Sequence, residues 1–254
     1  MTRIAVTGAA GNVGRESLTA LEDYDVTPIT HSAHDDIDGV VCDVSEYDEL
    51  SDALSGHDVV IHLAANPSPE ADWRSTVDVN IEGTRNVFEA AREHGIRRVV
   101  FASSNHAVGM YNAADPTETE TLELDTVRPV YHDDPPRPDS YYGVSKVTGE
   151  ALGSYYADRY GIEVINLRIG WLLSEDDLRG TQDGSPEHAR FARAMWLSPR
   201  DCRNVIRAAV EADLPEPTVT AHATSRNDDR FLSLIWTERA LGYRPRDNAT
   251  EALD

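Results

Sequence analysis

The stretch TGAAGNVG, Thr7 to Gly14, directly follows the short apolar run Arg3–Thr7 (RIAVT) and opens a segment of helical character near Asn12–Leu21. Glycines at 8, 11 and 14 in that setting permit a tight turn, let backbone approach a pyrophosphate, and let the helix pack closely on the strand. The helix N-terminus behind them offers free N–H groups and the positive end of its dipole to an anion. Glycines alone carry little information, and an ordinary tight turn is the alternative. The strand before them and the helix after them raise the pattern to a dinucleotide cradle.

Working outward, strands and helices alternate. Asp25–Thr30, Val40–Asp43, Val59–Leu63, Arg98–Ala102, Glu163–Leu167 and Thr218–Ala221 are predicted strands. Helices are predicted near Tyr47–Leu54, Trp73–His94, Tyr141–Tyr160, Arg200–Ala212 and Phe231–Leu241. Val77, Ile81, Val87 and Ala91 mark one face of the Trp73–His94 helix. This alternation predicts the α/β class: a Rossmann-type doubly wound parallel sheet with a small C-terminal substrate-binding region. One domain is expected over 1–254, with substrate elements mainly in 105–140 and 171–254. Residues 111–139, rich in Pro, Asp, Glu and Thr, are expected to form a long loop, and 171–190 a mobile substrate loop.

The chain of 254 residues has an ordinary apolar content of 40%, enough for one core, so its excess of acid reads as a solvated shell. A net charge of -22 repels nucleic acid phosphate and anionic membranes, and neither is an expected partner. Only Cys42 and Cys202 occur, so no disulfide framework is suggested. Without a signal peptide or a bilayer-length apolar run, a cytoplasmic location is expected. Lys146 is the sole lysine; every other one of the 23 basic residues is arginine. A chain that uses arginine elsewhere and keeps an ammonium here points to a compact, pKa-tunable cation at 146. The acidic, arginine-rich surface resembles proteins of salt-loaded cytoplasm, genomic bias being the alternative.

Tyr142-Gly-Val-Ser-Lys146 places a phenol and that ammonium four residues apart near a helix start, on one face. A phenol of ordinary pKa near 10 is a poor base at neutral pH, and a nearby ammonium is expected to favour the phenolate. The phenolate can then take a proton from a substrate alcohol as hydride leaves its carbon. Ser104, ending the fifth strand, is expected to hydrogen-bond the same oxygen. A chance surface pair is the alternative for any YxxxK alone. Asp43 can accept from an adenine amino group, or be a turn carboxylate. His62 reads as structural. The second strand ends in Thr30, His31 and Ser32 with no acid before Asp35, so NAD and NADP both stay open. His31 and His34 lack further ligands, and no metal is expected.

Together TGAAGNVG, HLAA at 62–65, Asn80, SSN at 103–105, YGVSK at 142–146 and LGYRP at 241–245 resemble the extended short-chain dehydrogenase/reductase (NAD-dependent epimerase/dehydratase) family, in its order and spacing. SSNHAVG at 103–109, RPDSYYGVSK at 137–146, LRIG at 167–170, MWLS at 195–198 and GYRPRDN at 242–248 look like two neighbouring groups within it. These are the uronate dehydrogenases and the extended-type glucose-6-phosphate dehydrogenase of halophiles, which oxidise an anomeric carbon to a lactone. The resemblance implies Ser104, Tyr142 and Lys146 as the catalytic three, with Asn80 a helix-stabilising or relay residue. It implies NAD or NADP held by Gly8, Gly11, Asn12, Val13, Gly14, His31, Ser32, Asp43, Val44, Leu63, Ala64, Ala65, Asn80, Tyr142, Lys146 and Ile169.

For the substrate it implies Ser68, Ser104, Asn105 and His106. Trp171 stands where uronate dehydrogenases have a serine, which narrows the pocket. Arg190, ahead of Arg193, is the candidate cation for an anionic group, a solvated helix arginine being the alternative. The stretch after Leu167 is short for burying a nucleotide, so a small free or phosphorylated sugar fits better than a nucleotide sugar. A sugar dehydrogenase is therefore expected. An epimerase or dehydratase that keeps its cofactor, and a cofactor-binding regulator, are the other readings. A homodimer through the helices at 73–94 and 141–160 is the family expectation.

Overall fold

The computed structural model describes residues 2–254. Seven parallel strands form one sheet in the order β3-β2-β1-β4-β5-β6-β9. They are β1 Arg3–Thr7, β2 Asp25–Thr30, β3 Val40–Val41, β4 Val59–His62, β5 Arg98–Ser104, β6 Glu163–Ile169 and β9 Thr218–Ala223. The pairs β1 with β2 and β1 with β4 run from opposite sides of β1, so the strand order reverses there. A crevice opens outside the carboxyl ends of strands at such a reversal, and that is where ligands bind in open α/β sheets.

The central strands are buried along most of their length because both faces are covered. On one face α1 Asn12–Ala20, α8 Pro199–Glu211 and α9 Ile235–Leu241 pack over Ile4, Ile61, Val100 and Ile165. On the other, α2 Tyr47–Leu54, α4 Gly83–His94 and α5 Tyr141–Tyr160 pack over Ala5, Val60, Val99 and Val164. A Cβ at Gly149 of α5 would meet the Phe101 ring at 2.2 Å, so this helix lies against β5 only because that position is glycine. The close approach brings Tyr142 and Lys146 down to the sheet. Ser140 caps α5, its hydroxyl accepting from Gly143 N at 3.1 Å, and Gly161 ends it at φ +74.

The expected helix over 73–94 is helical throughout but not uniform. A short α3, Trp73–Ser75, runs into a π-helical stretch, Thr76–Glu82, before α4. The wider turn carries Asn80 inward. Residues 171–190 are a correction: instead of a mobile loop they form β7 Trp171–Leu172, α6 Glu175–Thr181 and the first part of α7 Pro186–Met195. Ser174 and Ser185 cap these helices, accepting from Asp177 N and His188 N, a local signal that high polarity masked. β7 pairs in parallel with β8, Trp196–Leu197. The terminal α10, Ala249–Leu253, lay outside the sequence expectations, and the helix expected over 231–241 starts only at Ile235. Segment 111–139 has no regular element yet is packed, with Tyr111, Leu122 and Val130 buried against Phe191 and Phe231.

Behind the sheet end lies a buried ion pair. Arg168 donates to both carboxylate oxygens of Glu150 at 2.8 Å, and Ser103 Oγ donates to the same carboxylate at 2.5 Å. Removing one charge leaves the other buried without a partner. Glu150→Gln is expected to lower unfolding stability by about 3 kcal/mol, seen as an earlier midpoint in urea with unchanged slope.

Candidate active site

One cavity of about 730 Å³ opens at the reversal point. The glycine turn forms its floor on one side. Gly8 has φ +69, and a Cβ there would meet Ala64 N at 2.7 Å. A Cβ on Gly14 would lie 2.4 Å from Gly8 O. The turn therefore rests directly on the backbone leaving β4 and leaves the N-terminus of α1 open to the cavity. A diphosphate fits there: the donors are present, and bulk would be excluded.

At the adenosine end, Asp43 accepts from Ser45 N at 2.9 Å and Ser45 Oγ at 2.8 Å. These bonds, the backbone one foremost, hold its carboxyl below the usual range, with His31 Nε2 at 3.5 Å adding to the effect. Thr30, His31, Ser32 and His34 line this end, and no acid of the β2 terminus does, among the described residues. Asp36 is instead paired with Arg15 at 2.5 Å. The site lacks the carboxylate that would reject a 2′-phosphate.

At the other end, Ser104, Tyr142 and Lys146 share the cavity wall. Lys146 is buried, with Nζ 5.1 Å from the Phe101 ring centre and 5.4 Å from that of Tyr142. Burial pushes its ammonium down to about 7. Burial likewise pushes the Tyr142 phenol up to about 12, against the pull of the Ser104 hydroxyl beside it. The expected phenolate favoured by the lysine is thus not what burial dictates here: loss of solvent dominates, and the Ser104 hydroxyl is what opposes it. His62 is buried between Thr7 and Thr84 hydroxyls at 2.8 and 3.1 Å, and burial lowers it to about 3.

The sugar-sized end is built by the 3₁₀ turn Asn105–Ala107 and by Trp171 and Phe191. Asn105 Nδ2 donates to Ile169 O at 3.3 Å, while its buried Oδ1 has no partner in the protein. His106 bonds Asp139 through Nδ1 at 2.9 Å and stands edge-on to Tyr142, ring centres 5.6 Å apart.

Three sequence candidates lie elsewhere. Asn80 is off the cavity wall: its side chain accepts from Asn66 N at 2.7 Å and donates to Ser145 Oγ at 3.1 Å, clamping the loop after β4 to α5. Ser68 is exposed, its hydroxyl accepting from Glu70 N at 3.2 Å. Arg190 is taken by Asp229 at 3.3 Å and by the Glu123 carbonyl, and Arg193 by the same Asp229 at 2.7 Å. The remaining picks all open onto the cavity. Sequence reasoning missed Glu120, a residue of segment 111–139 that lines the cavity. No periodicity or motif in that acidic stretch distinguishes it.

Comparison with known proteins agrees with this architecture. The NAD dependent epimerase/dehydratase family matches residues 4–198. The chain is 58% identical over 255 residues to L-arabinose 1-dehydrogenase (NAD(P)(+)) of Haloferax volcanii, covering all of both chains. It is 38% identical to the NAD-dependent glucose-6-phosphate dehydrogenase of the same organism, over 98% of this chain and 94% of that one. The crystal structure of uronate dehydrogenase from Agrobacterium tumefaciens superposes with a TM-score of 0.80 at 31% identity, over 99% of this chain and 86% of that one.

Gly8→Ala is expected to weaken dinucleotide binding at least about tenfold, since the side chain strains a left-handed residue and lifts the turn. Titration calorimetry would measure this, and unchanged far-UV circular dichroism would confirm the fold.

Proposed function

The chain belongs to the NAD dependent epimerase/dehydratase family and is an NAD(P)-dependent sugar dehydrogenase, and from that premise we propose that its substrate is a neutral aldose, oxidised at the anomeric carbon to a lactone. One observation carries the choice of a neutral sugar. Among the described residues, no arginine lines the cavity, and Lys146 is its one non-histidine base. Recognition of a carboxylate or phosphate in an acidic protein calls for a charge-assisted partner, commonly arginine. Here both nearby arginines of α7 are engaged by Asp229. The high identity to an L-arabinose 1-dehydrogenase makes L-arabinose the first substrate to test.

In the proposed reaction Tyr142 accepts the proton of the anomeric hydroxyl, and Ser104 donates to the same oxygen. The bound nicotinamide supplies the acceptor for the hydride leaving that carbon. Lys146 loses its proton near pH 7. Its neutral amine, beside the Tyr142 ring, can then take the phenol proton as the phenol oxygen takes that of the substrate. Asn105 Oδ1 and His106 are positioned to receive ring hydroxyls. Asn80 acts at one remove, by fixing α5 through Ser145. We read residues 1–254 as one domain whose substrate elements come from 105–140 and 171–254.

At the cofactor end, His31, Ser32 and Asp43 would hold the adenosine half, and the lack, among the described residues, of an acid from the β2 terminus fits use of both NAD and NADP. A homodimer fits the exposed aromatic face where Trp73 meets Tyr141 edge-on at 5.4 Å and Tyr155 and Tyr160 lie open. Light scattering in high salt should give twice the chain mass.

The deciding experiment follows reduced-cofactor absorbance in high salt with L-arabinose, other neutral aldoses, uronates and glucose 6-phosphate. Neutral aldoses should be preferred, with either cofactor; preference for an anionic sugar would overturn the reading. Tyr142→Phe should lower kcat/KM by about 10² to 10⁴-fold with cofactor binding kept. The pH profile of kcat/KM should rise about tenfold per unit below pH 7 and level off above it.

A further inference from the structure

Glu120 sits in a conformation that its residue type does not favour. Its φ is +62, in the left-handed region where glycine is usual. The fold holds it there from both sides. His188 Nδ1 of α7 contacts the Glu120 carbonyl at 3.2 Å, and Leu122, buried two residues on, donates its N–H to Glu187 O at 3.2 Å. His188 in turn stands edge-on to Trp171, ring centres 5.7 Å apart. Strained backbone held this firmly is a mark of functional positions.

Glu120 lines the cavity, and its carboxylate lies toward another lining residue, His106, yet it is not consumed by the protein. Among the described residues its one ion-pair neighbour is His106 Nε2 at 3.7 Å, beyond hydrogen-bond range. His106 does not depend on it, because Nδ1 of that ring is already bonded to Asp139. Glu120 keeps 27% side-chain exposure, so its carboxylate retains free acceptor capacity beside the ring that neighbours Tyr142.

We propose that Glu120 is a substrate-specificity residue: its carboxylate accepts from a hydroxyl of a neutral sugar and repels substrates bearing a carboxylate or phosphate. This rests on the sugar-dehydrogenase reading and refines it. A half-buried carboxylate beside a cavity of few cations disfavours a second negative charge strongly, because solvent screens the pair poorly there. A hydrogen bond to a charged acceptor also contributes more than one to a neutral group. Both effects act on binding and not on the chemical step.

Three sugars with the same configuration at C2 to C4 separate charge from size: L-arabinose, D-galactose and D-galacturonate. Kinetics of the wild type, E120Q and the exposed control E118Q are compared, with thermal melts to verify folding. E120Q should raise KM for L-arabinose about tenfold with kcat within about threefold. It should also raise the galacturonate-to-galactose ratio of kcat/KM at least about tenfold. Where turnover is too slow to follow, the ratio of their inhibition constants against L-arabinose replaces it. E118Q should match the wild type. If either quantity stays at its wild-type value in folded E120Q, the assignment is overturned. If the wild type itself prefers galacturonate, the neutral-sugar reading fails, which distinguishes the two failures.

Discussion

The site depends on an ammonium kept out of water. Lys146 is buried over two aromatic rings and, among the described residues, forms no ion pair with a carboxylate. An isolated cation in such a place is costly, and the protein lowers the cost by letting the charge leave near neutral pH. A carboxylate partner would have fixed the charge and ended its use as a partner in proton transfer. Arginine would have held its proton at all working pH values. Among the lysine and arginine positions Lys146 is the single lysine, and its retention fits this constraint.

Two close backbone approaches deliver that lysine to its task. Gly149 lets α5 settle onto Phe101, and Gly8 lets the first turn settle onto Ala64. Between them the Asn80 clamp joins the loop after β4 to Ser145, whose hydroxyl also donates to the Tyr142 carbonyl at 2.7 Å. The π-helical turn at Thr76–Glu82 places Asn80 for this purpose. π-turns often accompany functional positions because the extra residue redirects a side chain. The strand end at the glycine turn, the helix carrying Tyr142 and Lys146, and the loop between them are thus fixed by these three contacts.

The parallel sheet, the glycine turn and the Tyr142–Lys146 pair were legible because each rests on local rules: apolar runs, a turn needing small residues, and helical spacing. The sheet's strand positions followed from those runs to within a few residues, as with β5, which extends to Ser104 and not Ala102. What was not legible depended on long-range partners. Arg190 carries the right charge at a plausible place, but Asp229, distant in sequence, had taken it. Ser68 and Asn80 have suitable chemistry, and only tertiary geometry turns them from the cavity. The polar stretch 171–190 hid its helices because serine caps were read as loop composition. Glu120 was silent for the same reason in reverse, since one acid among many acquires meaning only from the wall it faces.

Asp229 holds two guanidinium groups, those of Arg190 and Arg193, which flank in sequence Phe191, a residue of the cavity wall. Both guanidinium groups are thereby committed to one carboxylate beside the wall and are not offered to the cavity itself. The net charge next to the cavity therefore hangs on a single acid, and its loss would leave two guanidinium groups without their carboxylate partner beside the wall.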